Sequence, residues 1–185
     1  TLPRSGAGAD YAPWEAGLTL VYERQDLPGA LRMDQRVQVR VESSKLQGGG
    51  HRVVLSSSSF RGVVTSTHLV RQGGFALMAG EDVASDLIPA GFPDRVTAWK
   101  VGAVSFRVVG RAQADLPGVK LPEGARVGVW VESEDATGAR ERIFYLPGIG
   151  EAERRQWRDG RWVSVLRLVS RGFTDPAPGR TPNVA

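Results

Sequence analysis

The chain has 185 residues, of which 41% are hydrophobic and 24% are charged, and it contains no cysteine. This length and composition suit one globular domain with its own core, and the missing cysteines exclude disulfides, thiol catalysis and cysteine-based zinc sites. The 24 Lys and Arg residues are set against 20 Asp and Glu residues and are scattered along the chain. Nucleic-acid-binding chains usually carry a basic stripe or a recognisable motif, so nucleic acid is not an expected partner.

The two ends of the chain differ in composition from its middle. Residues 1–10, TLPRSGAGAD, lack the apolar centre of a signal peptide and are predicted to form a flexible tether. Residues 175–185 are rich in proline and are predicted to form a flexible tail. Residues 11–174 are predicted to form a single β-rich domain. No apolar run approaches the roughly 20 residues that a membrane-spanning helix needs, so no transmembrane segment is expected.

Alternation of apolar and polar residues dominates the domain. Val37, Val39 and Val41 share one face of a run whose other face is polar, which is typical of a half-buried antiparallel strand. The same alternation recurs in four further sets, at Leu18, Leu20 and Tyr22, at Val104, Phe106 and Val108, at Ala125, Val127, Val129 and Val131, and at Val163 and Val165. The sequence therefore predicts a mainly β fold, a strongly curved antiparallel sheet or incomplete β-barrel with at most one or two short helices.

A helix is predicted at one place only. Val83 and Leu87 have the i, i+4 spacing of one helix face, so residues 81–87 are expected to form one or two turns before Pro89 ends them.

The best-defined turn is expected at Asp159 and Gly160. An Asp-Gly pair between extended segments favours a two-residue hairpin, because glycine accepts the positive φ that such turns need. In that register Trp157 and Trp162 lie opposite each other as an aromatic cross-strand pair.

The stretch IFYLPGIGE, residues 143–151, contains a Gly-x-Gly pair that raises the question of a phosphate-binding loop. A nucleotide fingerprint needs a third glycine and a following helix, and a charged segment that continues into the Asp-Gly hairpin follows here instead. Pro147, Gly148 and Gly150 are therefore interpreted as a structural bend between strands. Replacement of either glycine by valine is expected to lower thermal stability rather than to abolish a chemical step.

Candidate catalytic and metal-binding residues are few. Glu151 and Glu153 are expected on one face of a strand, Glu132 precedes a turn, and His51 and His68 lie in separate strand-like runs. Paired carboxylates can perform acid–base catalysis when their environments separate their pKa values, but neighbouring arginines favour surface ion pairing. Neither histidine has a second ligand at zinc spacing. No catalytic, cofactor-binding or metal-binding residue is therefore assigned, and no cofactor is expected.

Aromatic residues offer a different kind of site. A concave sheet lined by large aromatic side chains can hold an apolar ligand or a partner, although such residues more often form the core. Trp130 alternates with Val129 and Val131 and lies on the other face, so its strand is expected to be covered on both sides. The candidate partner or ligand surface comprises Trp99, Trp130, Tyr145, Trp157 and Trp162.

Two segments resemble those of a loose group of uncharacterised bacterial exported proteins and lipoproteins. Residues 11–22, YAPWEAGLTLVY, resemble the group's Y-x-P-x-x-x-G-x-x-x-x-Y opening, and Tyr145 to Glu151 is similar to its Y-x-P-G-h-G-h-h element, where h is apolar. Glu151 departs from that pattern. The resemblance implies a curved, unclosed β-barrel of the kind associated with envelope lipoprotein carriers, and it implies no catalytic residues.

Three functions remain open at this point. The first is a non-enzymatic envelope β-domain that binds a lipid, a peptide or a protein partner on its curved sheet. The second is a hydrolase in which two or more of Glu132, Glu151, Glu153, His51 and His68 converge. The third is an assembly module that pairs through a sheet edge. The expected location is the periplasm or cell envelope, with the cytoplasm as the alternative.

Overall fold

The computed structural model describes residues 10–174, and strands make up most of this part of the chain. The strands are β1 (Leu18–Arg24), β2 (Val37–Gln47), β3 (Gly50–Ser59), β4 (Gly62–Arg71), β5 (Gly74–Ala79), β6 (Asp82–Ile88), β7 (Ala98–Val101), β8 (Val104–Gln113), β9 (Val127–Glu134), β10 (Arg140–Leu146), β11 (Gly150–Arg158) and β12 (Arg161–Phe173). A short helix α1 spans Gly29–Asp34, and a 3-10 turn spans Glu123–Ala125. A helix with the length and apolarity to cross a membrane is not found within residues 10–174.

The twelve strands form one antiparallel sheet in the order β6-β5-β4-β3-β2-β1-β12-β11-β10-β9-β8-β7. Consecutive strands are joined as neighbours in two meanders, β1–β6 and β7–β12, and the first and last strands pair in the middle of the sheet. The sheet curves until β6 and β7 approach each other and leave one seam. This nearly closed barrel confirms the predicted fold class.

The predicted helix over residues 81–87 is wrong. Asp82–Ile88 is strand β6, and it pairs with β5 from Ala79 opposite Asp82 to Phe75 opposite Ile88. The i, i+4 spacing of two apolar residues in so short a segment does not distinguish helix from strand, and the hydrogen bonds that β5 offers decide the outcome. The helix lies instead at Gly29–Asp34, in the connection between β1 and β2.

A tryptophan side chain bridges the seam. Trp99 on β7 donates a hydrogen bond from Nε1 to the Leu87 carbonyl oxygen on β6, at 3.1 Å. Its ring stacks on Phe106 of β8 with ring centroids 5.3 Å apart, and Phe92, in the segment that crosses from β6 to β7, meets its edge at 5.5 Å. Aromatic packing therefore holds together two strands that no backbone ladder joins.

The core has two parts. The larger cluster contains Leu18, Leu20 and Val41 and extends to the loop between β8 and β9 through Leu116 and Ala125. The smaller cluster gathers aromatic and branched side chains beside the seam, with Tyr11, Ile88, Phe92, Val129 and Val131 buried. Phe75 packs against both clusters. One continuous apolar interior thus connects the two meanders.

The segment before β1 fastens one end of the barrel. Asp10 accepts a hydrogen bond from the Gly73 N–H through its side chain (2.9 Å) and from the Gly148 N–H through its carbonyl oxygen (2.7 Å). The Tyr11 ring meets the edge of Phe92 at 5.1 Å. Because Gly73 and Gly148 lie in turns of different meanders, this segment ties the two halves together. Residues 1–9 and 175–185, which cover the rest of the predicted tether and tail, lie outside the described residues.

The turn at residues 147–150 is shaped to receive this segment. Gly150 has φ +85°, and a Cβ atom there would lie 3.1 Å from Pro13 Cδ and 3.5 Å from Ala12 Cα. The stretches around Tyr11 and around Gly150 are therefore in contact. The Gly-x-Gly pair serves the packing of the backbone.

Replacement of Gly150 by Val is expected to lower the melting temperature more than the same change at Gly138. Both glycines have similar positive φ (+85° and +81°), so each substitution adds backbone strain of about 1–3 kcal/mol. Only the Cβ at residue 150 would also press on Pro13, since nothing lies within 4 Å of the Cβ position at Gly138. Thermal unfolding followed by circular dichroism measures the difference. Equal losses in the two variants would contradict the packing role.

Candidate functional site

One face of strands β8–β12 carries a continuous basic and aromatic surface. Arg107 lies opposite Glu132, Glu132 opposite Arg142, and Arg142 opposite Arg155, so these side chains point to the same side of the sheet. We call this surface the arginine–tryptophan face. It comprises Arg107, Trp130, Glu132, Arg140, Arg142, Glu153, Arg155, Trp157, Trp162 and Arg167.

Glu132 lies at the centre of the charged network. Its side chain is only 5% exposed, and it accepts hydrogen bonds from Arg107 Nη2 (2.8 Å), Arg140 Nη2 (2.8 Å) and Arg142 Nε (3.0 Å). Burial by itself raises the pKa of this carboxyl, but the three guanidinium groups outweigh burial and lower the pKa from 4.5 to about 2. Glu132 is therefore ionised throughout the physiological range and holds three arginines in place.

Glu153 forms a second centre in the same face. It accepts hydrogen bonds from Arg155 Nε at 2.8 Å and from Arg167 Nη2 at 3.4 Å, and its side chain is also buried. Burial raises the pKa of Glu153, and the hydrogen bond and positive charges of these arginines produce a net lowering of the pKa. Two buried carboxylates thus organise five arginines.

The tryptophans are stacked under guanidinium groups. Trp157 and Trp162 face each other across the turn at Asp159 and Gly160, with ring centroids 5.1 Å apart. The guanidinium of Arg142 lies 4.4 Å from the Trp162 centroid, and that of Arg140 lies 5.3 Å from Trp157 and 5.4 Å from Trp162. Cation–π contacts of this kind contribute about 0.5–1 kcal/mol each at exposed sites. They also fix the orientation of long, otherwise flexible side chains.

A glycine allows the aromatic part of the face to form. The Phe144 ring lies over Gly128, where a Cβ atom would approach Phe144 Cζ to 2.5 Å. Trp130 packs beside Phe144 with ring centroids 4.8 Å apart. The guanidinium of Arg155 lies 4.5 Å from the centroid of the Trp130 ring. Trp130 thus lies on the opposite side of β9 from the buried Val129, and this strand is covered on both sides.

A groove of about 610 Å³ adjoins the face over strands β7–β9. Its lining residues are Ala98, Trp99, Lys100, Ser105, Phe106, Arg107, Glu132, Ser133 and Glu134. Six of these nine carry a charged or hydroxyl side chain. Arg107, which is 64% exposed, and Glu132 belong to both the groove and the face. The groove therefore extends the arginine–tryptophan face toward the seam and mixes charged and hydroxyl side chains with aromatic ones.

The candidate aromatic surface from the sequence is divided between two faces. Trp130, Trp157 and Trp162 lie together on the arginine–tryptophan face. Tyr145 meets Phe92 at 5.9 Å in the core cluster beside the seam, which Trp99 also joins. Trp99 and Tyr145 therefore stabilise the barrel. Trp130 is half-buried and packs against the larger core cluster, whereas Trp157 is 42% exposed and Trp162 is partly exposed.

The residues named for a hydrolase do not assemble into one site. His51 stacks on Trp14 at 4.6 Å, and His68 stacks on Phe75 at 4.4 Å, in the other meander from the three glutamates. Burial lowers the pKa of His68, which keeps this ring neutral at pH 7. Within residues 10–174 no group of three or more His, Asp or Glu side chains is arranged to hold a metal ion.

The expectation that Glu151 and Glu153 share one face is wrong. A bulge places Tyr145 opposite Glu151 and Phe144 opposite Glu153, so adjacent residues of β10 face the two carboxylates and these point to opposite sides. Glu151 binds Arg154 with two hydrogen bonds of 2.8 Å, away from Glu153. The two carboxylates therefore cannot act as an acid–base pair.

Sequence reasoning did not assign Arg107, Arg140 and Arg155 to the site. The spacing of Arg140 and Arg142 shows that they share a face, because residues i and i+2 of a strand point to the same side. Their common partner lies on the neighbouring strand, and its identity depends on the register. Local alternation cannot supply that register.

Replacement of Glu132 by Gln is expected to lower the free energy of unfolding at pH 7 by about 1–3 kcal/mol, because three arginines lose a charged acceptor. The folded pKa of Glu132 is lowered, so its stabilisation is complete above about pH 5 and disappears as the pH falls toward 2. Urea unfolding measures the free energy of unfolding at pH 7 and at pH 3. The difference in this free energy between the variant and the wild type should be smaller at pH 3. Glu123→Gln, on the exposed 3-10 turn, is the control. A gap independent of pH would contradict the ionic role.

The chain matches no protein-family model and no curated protein sequence. Two solved structures resemble it, each over 89% of this chain and 99% of its own. One is a candidate exported protein with a YmcC-like fold from Bacteroides fragilis, with 13% sequence identity and a TM-score of 0.53. The other is a candidate lipoprotein from Parabacteroides distasonis, with 10% identity and a TM-score of 0.49. The likeness to the Bacteroides fragilis protein shows that this chain has the YmcC-like fold.

Proposed function

We propose that the protein is a non-enzymatic β-domain of the bacterial envelope that binds an acidic peptide segment of a partner protein on its arginine–tryptophan face. The observation that carries the proposal is the set of arginines held by buried carboxylates and stacked on Trp130, Trp157 and Trp162. Arginine and tryptophan are the residue types most enriched among those that contribute most of the binding energy at protein interfaces.

The net charge of this surface indicates that the partner is negatively charged. The arginine–tryptophan face and the groove together carry six basic side chains, which are Lys100, Arg107, Arg140, Arg142, Arg155 and Arg167. They also carry three carboxylates, which are Glu132, Glu134 and Glu153. The surface therefore carries an excess of about three positive charges by simple count, most of the +4 of the whole chain. A partner with acidic side chains complements this surface.

The arginines are positioned before a partner arrives. Arg107, Arg140 and Arg142 each donate one hydrogen bond to Glu132, whereas a guanidinium has five N–H donors in a planar fork. The fixed orientation reduces the side-chain entropy that binding would otherwise cost. Carboxylates of a partner can then accept hydrogen bonds from the remaining N–H donors of these partly exposed guanidiniums.

A lipid is a poorer fit to this surface. An acyl chain gains most from a wholly apolar groove, whereas charged and hydroxyl side chains line this groove together with Ala98, Trp99 and Phe106. The proposed envelope location is supported by the YmcC-like fold, which the chain shares with a candidate exported protein.

Acidic peptide binding is expected to depend on Arg142 and Arg155. Fluorescence anisotropy with a labelled hexaglutamate peptide measures the affinity, and a labelled hexalysine peptide tests the sign of the charge. The double variant Arg142→Ala/Arg155→Ala should weaken hexaglutamate binding by at least about tenfold, since it removes two central cations. The affinity of the wild-type protein for hexaglutamate should decrease when the NaCl concentration is raised from 0.05 to 0.5 M, because salt screens exposed charges.

The matched control is Arg40→Ala/Arg71→Ala, which also removes two arginines but from strands β2 and β4 of the other meander. It should bind hexaglutamate like the wild type. Equal affinity in the Arg142→Ala/Arg155→Ala variant, or tighter binding of hexalysine than of hexaglutamate, would refute the proposed partner class.

The proposed location has its own test. Fractionation of the native host, followed by immunoblotting of the complete gene product, is expected to recover the protein with the periplasmic or membrane fraction. Recovery with a cytosolic marker enzyme would refute the location without affecting the peptide-binding experiment.

A further inference from the structure

Half of strand β4 has a strand neighbour on one side only. β4 pairs with β3 from Gly62 to Val70, but it pairs with β5 only from His68 to Arg71. Among residues 10–174, no strand pairs with the other edge of Gly62–Thr67. We call this segment the open edge of β4.

The β5–β6 hairpin leaves the open edge uncovered because it bends away. The ladder between β5 and β6 shifts at Leu77 and Met78, and the tip of the hairpin is held against β3 by Arg52. Arg52 donates hydrogen bonds to Glu81 Oε1 at 2.8 Å and to the Gly80 carbonyl oxygen at 2.9 Å. The opening is therefore built into the fold by specific contacts.

Alternation defines which backbone groups face the open edge. The β4–β5 hairpin closes at Arg71 and Gly74 around a two-residue turn, and residues that flank such a turn exchange hydrogen bonds with each other. Every second residue of β4 therefore directs its N–H and C=O groups toward the β5 side. In the open edge these residues are Val63, Thr65 and Thr67.

The open edge lacks the usual protection against strand pairing. Natural edge strands carry lysine, proline or a bulge, or they are covered by another element. The sequence from Gly62 to Thr67, GVVTST, has no charge and no proline, and its pairing with β3 has no bulge. Val63 is 69% exposed and Val64 is 68% exposed. Since these neighbours point to opposite faces, both sides of the hairpin stand clear of the barrel.

We infer that the open edge of β4 pairs with the same edge of a second copy of this chain. In a two-fold antiparallel pair centred on Thr65, Thr65 lies opposite its own copy and Val63 opposite Thr67. The Thr65–Thr65 and Val63–Thr67 pairs are then β-branched, a composition that favours strands, and Val64 lies opposite Ser66. This surface is distinct from the arginine–tryptophan face and does not depend on its function.

The absence of charge on this edge permits the approach of a second copy of the chain. The chain has a net charge of +4, so close approach of two copies is opposed where basic residues meet. The open edge and the facing serines, Ser56–Ser59, form an uncharged strip. In the centred register the pairing spans residues 63–67 of both copies, and residues 61 and 62 turn away because His68 and Leu69 already pair with β5. Two copies can therefore pair here without electrostatic repulsion.

Analytical ultracentrifugation of the wild-type protein from about 1 to 300 μM should show a reversible monomer–dimer equilibrium. The substitution Thr65→Lys should weaken dimerisation by at least about tenfold, since it places two positive charges opposite each other at the two-fold axis. Thr65→Val preserves the β-branched shape and should dimerise like the wild type. The melting temperature of both variants at 1 μM should stay close to that of the wild type, because residue 65 is exposed in the monomer.

Amide hydrogen exchange tests the register. Exchange at Val63, Thr65 and Thr67 should slow as the protein concentration rises, whereas exchange at Val64 and Ser66, whose amides bond to β3, should not change. A wild-type protein that remains monomeric at 300 μM would overturn the inference, as would a dimer that Thr65→Lys leaves intact. A monomer whose β4 edge is instead protected by a peptide or by lipid vesicles would also overturn it.

Discussion

The pairing of β1 with β12 is the constraint on which the rest of the structure depends. Each meander is built from neighbouring strands joined by short turns, and local hydrogen bonds suffice to form it. Only the β1–β12 ladder, in which Leu18 lies opposite Phe173, joins the meanders into one sheet. Forming this contact closes a loop of nearly the whole domain, which carries a large entropic cost. The buried side chains of Leu18, Leu20 and Leu168 supply the apolar contact that offsets this cost.

Once β1 and β12 pair in the middle, β6 and β7 become the two edges of the sheet, and both would be open to solvent. The protein covers this seam with side chains and with the N-terminal segment. Trp99 spans it by one hydrogen bond, and Asp10 fastens a turn of each meander. Because these contacts close the seam without a backbone ladder, the barrel keeps two incompletely paired edges, and the open edge of β4 adds a third.

The sequence predicted the strands well because burial on one face imposes a period of two, as in Val37, Val39 and Val41. It also predicted that Trp157 and Trp162 would face each other, since the Asp-Gly turn sets the register of the β11–β12 hairpin by itself. The error at Asp82–Ile88 has the same origin, because a short segment with two spaced apolar residues fits either period. The alternation of Glu151 and Glu153 predicts one shared face, because the bulge that separates them leaves no local signature in the sequence. The cluster around Glu132 depends on the register of three strands and could not be predicted from any one of them.

The arrangement of Glu132 also bears on why the arginine–tryptophan face exists. Burying a carboxylate costs desolvation free energy, and replacing buried ion pairs by well-packed apolar side chains is often neutral or stabilising. If stability were the only requirement, an apolar residue at position 132 would serve as well. What an apolar residue could not do is hold Arg107, Arg140 and Arg142 in fixed positions while their side chains stay partly exposed. The buried carboxylate is thus better explained by the positions it gives to three cations than by the stability it adds to the sheet.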